Sequence, residues 1–66
     1  MTSVVSSDIA SVGYEAGSLC IQFRSGGKYM YYGVPASVYQ GLMSADSHGK
    51  YFHAHVKPFY AYTRLI

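Results

Sequence analysis

Apolar and polar side chains alternate most clearly in the second quarter of the chain. There Leu19, Ile21 and Phe23 share one face of an extended strand, while Gln22 and Arg24 point to the other face. A period of two residues is typical of a strand with one buried face. The pattern therefore predicts a half-buried β-strand.

Two further strands flank this one. Residues 25–27 (Ser-Gly-Gly) indicate a turn, and the aromatic run 28–32 after it favours a strand that pairs back as a hairpin. Upstream, residues 9–15 form a plausible first strand that ends at the Ala-Gly-Ser turn of residues 16–18. We predict an antiparallel meander of three strands.

Helical spacing begins after the meander. Pro35 suits the first turn of a helix, where its missing N–H would have no intrahelical partner. Val38 and Leu42 are four residues apart and lie on one helical face. The spacing predicts a helix from about Pro35 to Ser44, weakened by Gly41.

A second short helix is predicted over residues 48–56. Ser47 is placed to cap its first turn, and Pro58 ends it. Tyr51 and His55 are one turn apart on this helix, so their rings are expected to stack.

The tail, residues 59–66, alternates again and can form a fourth strand. A sheet with one apolar face needs a covering layer, and the helices that follow the meander are the elements available for it. We predict a single α+β domain over residues 1–66: a three- to four-stranded antiparallel β-meander followed by two short helices packed on one face. Function is expected on the uncovered face, which carries Gln22 and Arg24.

Composition narrows the function classes. The chain has 66 residues, one cysteine, eight tyrosines and a net charge of +2. Cys20 alone excludes an intramolecular disulfide and a four-cysteine zinc site, and without such cross-links association of several copies becomes more plausible. The small positive charge does not favour capture of a long polyanion, but it leaves small anionic ligands open.

The first eight residues lack the basic and apolar regions of a signal peptide, and no apolar run approaches the roughly 18 residues of a membrane span. We expect no membrane partner and a cytoplasmic location.

Tyr29 and Tyr31 are the main candidates for ligand contact. Two residues apart on a strand, their rings emerge on one face roughly 7 Å apart, a spacing over which bases or one planar ring can stack. The alternative is core packing, in which the rings are buried and the hydroxyls reach the rim. Sequence leaves both interpretations open.

Cations near these rings would favour a phosphate-bearing ligand. Arg24 and Lys28 flank the predicted turn, so they are expected to cluster there. A second candidate is the corner at the start of the second helix, where free N–H groups and the helix dipole can hold an anion. Its residues are Ser47, His48, Gly49 and Lys50. The alternatives are scattered, solvated cations and a simple helix cap.

Metal binding and catalysis are disfavoured. His53 and His55 would lie about 200° apart around a helix and could not share one ion. Three acidic residues leave little for acid–base chemistry, and Cys20 lies mid-strand, where a small apolar residue is usual. We expect no metal, no cofactor and no enzymatic activity.

A set of ordered landmarks then suggests a family. They include a tyrosine-x-tyrosine followed by valine-proline and, later, serine-x-glycine-x-tyrosine-phenylalanine. The matching positions are Val5 to Ser7, Val12 to Tyr14, Leu19 to Phe23, Gly26, Tyr29 to Tyr31, Gly33 to Pro35, Val38, Tyr39, Ala45 to Phe52, Val56 and Tyr60. On these residues nearly the whole chain closely resembles the KTSC domain. His53 departs from the asparagine that relatives often carry.

The resemblance implies a stand-alone form of a domain that also occurs as a C-terminal extension on some lysyl-tRNA synthetases, and as small proteins of bacteria and their phages. RNA binding is what that synthetase context implies. Combined with the tyrosines and cations, it predicts a non-enzymatic module for RNA or a small nucleotide-like ligand. A homo-oligomeric phage protein that sequesters a nucleotide signal in the host cytoplasm is one form of it. The alternative is a protein-interaction or homo-oligomerisation module without a nucleotide ligand.

Overall fold

Five antiparallel strands form one sheet in which every strand lies beside its neighbour in the sequence. The computed structural model describes residues 1–66. Its elements, in chain order, are β1 (Thr2–Ser3), β2 (Ile9–Glu15), β3 (Ser18–Phe23), β4 (Lys28–Tyr31), α1 (Ala36–Ser44), α2 (His48–His55) and β5 (Tyr62–Arg64).

The turn between β2 and β3 is the tightest of the sheet. Ala16 and Gly17 both have positive φ, at 49° and 83°. Two consecutive residues of this kind match the right-handed twist of the flanking strands, so they join the strands in register. Glu15 and Ser18 are accordingly paired.

The register decides which side chains share a face. Leu19 pairs with Tyr31 and Ile21 pairs with Tyr29, so both tyrosines project to the same side as the apolar residues of β3. Tyr62 pairs with Tyr31 from the other side. This is the helix-covered face, and its buried core consists of Ile9, Val12, Leu19, Ile21, Tyr31, Val34, Leu42, Phe52 and Val56.

The helices begin where the sequence predicts. Pro35 is the residue before the first turn of α1, with φ −65°, and the Ser47 hydroxyl caps α2 by accepting a hydrogen bond from the Lys50 backbone N–H at 3.3 Å. The rings of Tyr51 and His55 have centroids 4.5 Å apart, as expected for residues one turn apart. Neither helix has the length and apolar character needed to cross a bilayer.

The α+β class, the meander, both helices and the strand in the tail are confirmed. The sheet has five strands because Thr2 and Ser3 pair with Val12 and Ser11 of β2. A strand of two exposed residues is too short to produce an alternating pattern, so the sequence gives no sign of it. The strand in the tail is three residues long, shorter than the predicted stretch.

Candidate functional site

A concavity of about 640 Å³ opens on the helix-covered side, where the ends of β3, β4, β5 and α2 meet. We call it the basin. Its volume lies within the range of small-molecule sites, about 300 to 1,000 Å³. The residues that give it chemical character are the aromatic Phe23, Tyr29, Tyr31, Phe52 and Tyr62 and the charged Asp8, Arg24, Lys57 and Arg64.

The aromatic wall of the basin is a continuous cluster of rings. Tyr62 lies 5.6 Å from Tyr29 and 5.4 Å from Tyr31, measured between ring centroids. Phe52 packs edge-on against Tyr31 at 5.2 Å and against Phe23 at 5.5 Å. Tyr62 is 58% exposed and Tyr29 is half-buried, so two of these rings offer part of their surface to a ligand.

Tyr31 is the most buried of the three tyrosines in the cluster, with 4% of its surface exposed. Burial raises the pKa of its phenol, and the neighbouring phenols of Tyr62 and Tyr29 raise it further. The hydroxyl of Tyr31 therefore stays protonated at neutral pH and can donate a hydrogen bond.

Three cations and one carboxylate line the basin. The Arg24 guanidinium is anchored by hydrogen bonds to the backbone carbonyls of Ser6 at 2.5 Å and Val4 at 3.1 Å. Arg64 lies 5.8 Å from the centroid of the Tyr29 ring, within range of a cation–π interaction. Lys57 is exposed at the end of α2. The basin is thus positively charged beside its aromatic wall.

Among the predicted site residues, Tyr29, Tyr31 and Arg24 line the basin. Lys28 does not, because it pairs with Gln22 and alternates with Tyr29 along β4, which places it on the other face of the sheet. The basin therefore brings Arg24 together with the two tyrosines but not with Lys28.

The predicted anion corner at the start of α2 is already engaged within the chain. Ser47 caps the Lys50 N–H, and a His48 ring nitrogen, Nδ1, lies 2.7 Å from the Leu42 carbonyl. Gly49 is buried, and a Cβ there would lie 3.2 Å from a carboxylate oxygen of Asp8. The chain's own carboxylate thus occupies the place near the helix N-terminus where an external anion was expected.

Sequence reasoning missed Tyr62, Lys57 and Arg64 as members of the site. A signal was present, because Tyr62 and Arg64 alternate on one side of the tail. What the sequence does not reveal is the pairing of Tyr62 with Tyr31 and of Arg64 with Tyr29, which places the tail at the aromatic wall.

The uncovered face of the sheet holds a second hollow of about 570 Å³, lined by residues that include Met1, Cys20 and Met30. Its single charged residue is Glu15. The hollow therefore has no lysine or arginine in its lining, and this face lacks Tyr29 and Tyr31, which the register places on the helix side. No group of three or more histidine, cysteine or acidic side chains is placed to hold a metal ion.

Comparison with known proteins gives the family. The model of the KTSC domain matches residues 5–60. The chain belongs to the KTSC domain family. A crystal structure of a KTSC domain protein from Yersinia pestis superposes with a TM-score of 0.93 at 39% identity, covering 98% of this chain and 94% of that one.

Two relatives are bacterial proteins of similar length. The chain is 38% identical over 60 residues to a protein of Tsukamurella paurometabola, covering 88% of this chain and 90% of that protein. It is 43% identical over 63 residues to a protein of Stutzerimonas stutzeri, covering 91% and 89%.

Proposed function

We propose that this KTSC domain is a non-enzymatic binding module that holds a small nucleotide-like ligand in the basin. The planar ring of the ligand packs on Tyr62 and Tyr29, and its phosphate pairs with Lys57 and Arg64. The observation that carries the proposal is that exposed aromatic surface and three cations face one concavity. Neither group alone would distinguish a ligand site from an ordinary surface.

A small ligand suits the basin better than a long RNA. The net charge is +2, and affinity for a polyanion grows with the number of phosphates that cations neutralise. Two cations at one rim match the charge of a single phosphate. RNA, which the likeness to a synthetase extension implies, is therefore an outcome to be tested rather than the form we propose.

The test is calorimetric titration of the full chain at low salt with adenosine 5′-monophosphate (AMP), adenosine, ribose 5-phosphate and a single-stranded RNA. We expect saturable binding of AMP and weaker binding of adenosine and of ribose 5-phosphate, because the ring and the phosphate contact different residues of the basin. AMP is recovered unchanged. Absence of saturable AMP binding overturns the proposal, as does RNA binding that gains affinity steadily with strand length.

A lysine pair provides the matched control. Lys57 lines the basin, whereas Lys50 is exposed one helix turn from Ser47 and outside the basin. Lys57→Ala is expected to weaken AMP binding roughly tenfold, because a hydrogen bond to a charged group contributes about 1.5 to 3 kcal/mol. Lys50→Ala should leave it unchanged. Equal losses of AMP affinity in the two variants would mean that the titration measures only a general electrostatic attraction.

Exposed apolar side chains near the C-terminus support a second candidate, self-association through the tail. Phe59 is 70% exposed, Leu65 46% and Ile66 68%, and β5 is an edge strand. Aromatic side chains are enriched in interface cores, and an open edge can pair with another strand. Light scattering tests this: a dimer that Phe59→Ser converts to a monomer favours it, and a monomer at high protein concentration rejects it.

A further inference from the structure

Tyr31 combines a ring in the buried core with a hydroxyl that has no hydrogen-bond partner within the chain. Tyr31 is more than nine-tenths buried, yet none of the side-chain hydrogen bonds of the structure involves its hydroxyl. An unpaired hydroxyl of this kind is either fully enclosed, at a cost of roughly 1 to 3 kcal/mol, or it reaches the surface, where water can bind it.

The position of this hydroxyl follows from two facts. No side-chain nitrogen or oxygen atom in the chain is both fully enclosed and unpaired. Tyr31 lines the basin. Its unpaired hydroxyl is therefore not fully enclosed, and the basin is the concavity that Tyr31 lines.

Tyr14 provides the contrast to Tyr31. Its hydroxyl donates a hydrogen bond of 2.6 Å to the Val34 carbonyl, and its ring stacks on Tyr39 with centroids 4.7 Å apart. Tyr14 and Tyr31 can therefore be compared directly. The Tyr14 hydroxyl is hydrogen-bonded within the chain, and the Tyr31 hydroxyl is not.

We infer that the Tyr31 hydroxyl is the specificity-determining contact of the basin, donating a hydrogen bond to an acceptor on the edge of a ligand's heteroaromatic ring. The inference rests on the proposed function and makes it narrower. The basin should prefer phosphate esters whose ring carries nitrogen or oxygen acceptors over those whose ring is a plain hydrocarbon. The raised pKa keeps the phenol a donor throughout the neutral range.

The experiment compares AMP with phenyl phosphate, which has a ring and a phosphate but no acceptor on the ring. Both are titrated into the unmodified chain, Tyr31→Phe and Tyr14→Phe. We expect Tyr31→Phe to weaken AMP binding roughly tenfold, which corresponds to about 1.4 kcal/mol, and to leave phenyl phosphate unchanged. Tyr14→Phe should bind both as the unmodified chain does.

Thermal unfolding of the same variants distinguishes a loss of ligand affinity from a loss of stability. Tyr31→Phe should be about as stable as the unmodified chain, because the hydroxyl it removes makes no hydrogen bond within the chain, whereas Tyr14→Phe should be less stable. Two results overturn the inference alone. In the first, Tyr31→Phe binds AMP as tightly as the unmodified chain does. In the second, Tyr31→Phe loses affinity for AMP and for phenyl phosphate to the same extent. Failure of both ligands to bind the unmodified chain overturns the proposed function itself.

Discussion

The Tyr51 ring of α2 lies across Gly41 of α1, so that a Cβ on residue 41 would overlap the Tyr51 hydroxyl and the ring carbon that carries it. Glycine in the middle of a helix lowers stability by up to about 1 kcal/mol relative to alanine. The close approach of the two helices explains why a residue with this cost is present at that point.

Gly41→Ala is therefore expected to destabilise the chain by about 1 to 3 kcal/mol, even though alanine is the better helix former, because the inserted methyl group displaces the Tyr51 ring. Urea unfolding measures the change. Ser37→Ala, at an exposed position of α1, is the matched control and should cost nothing.

A double variant isolates the cause. In a Tyr51→Ala background the space across residue 41 is open, so Gly41→Ala should become neutral or stabilising. The packing interpretation fails if Gly41→Ala costs the same in both backgrounds.

This contact also marks a limit of prediction from sequence. The spacing of Val38 and Leu42 correctly predicts α1. The reason for the glycine depends on where the second helix crosses the first, which is a tertiary relationship. The spacing of apolar residues along the chain does not show where the two helices cross.

Tyr14→Phe tests the hydrogen bond that joins the end of β2 to the segment before α1. Loss of the 2.6 Å bond leaves the Val34 carbonyl without that partner, and we expect a loss of about 1 kcal/mol in the free energy of unfolding. Tyr32→Phe is the control, since Tyr32 is 44% exposed. A Tyr32 effect as large as the Tyr14 effect would assign the change to something other than this bond.

Ser47→Ala separates a capping role from an anion-binding role. The Ser47 hydroxyl accepts from the Lys50 N–H, so its removal should lower stability by about 1 kcal/mol. Affinity for AMP should not change, because the corner lies outside the basin. A stable Ser47→Ala variant that no longer binds AMP would restore the corner as the binding site.

The pH dependence of stability should report the burial of Tyr31. Its folded-state pKa is raised above the ordinary value of about 10, first by burial and then by Tyr62 and Tyr29. Below pH 10 the phenol is neutral in both states and the stabilisation is complete. As pH rises above 10, the unfolded state loses its proton first, so stability falls until the folded-state pKa is passed.

Urea unfolding between about pH 8 and pH 11 compares the unmodified chain with Tyr31→Phe. The unmodified chain should lose more stability over the upper part of this range, because the variant has no group to ionise at that position. Parallel curves for the two proteins would show that Tyr31 titrates alike in the folded and unfolded states.

The site is less predictable from sequence than the fold, for a specific reason. Alternation correctly places Tyr29 and Tyr31 on one face, but it does not say whether that face is the covered one. The register with Leu19 and Ile21 decides it, and the same register carries Lys28 away. Arg64 and Tyr62 join the site only because the tail returns beside β4 after both helices.

The most direct test of ligand binding at the basin is a titration of the ¹⁵N- and ¹³C-labelled chain with AMP, followed by NMR. We predict saturable shift changes in the rings of Tyr29 and Tyr62 and in the side chains of Lys57 and Arg64, with none at Lys50. Saturable changes centred on the Ser47 to Lys50 corner or on the Cys20 and Met30 face, or no saturable change at all, would contradict the basin as the functional site.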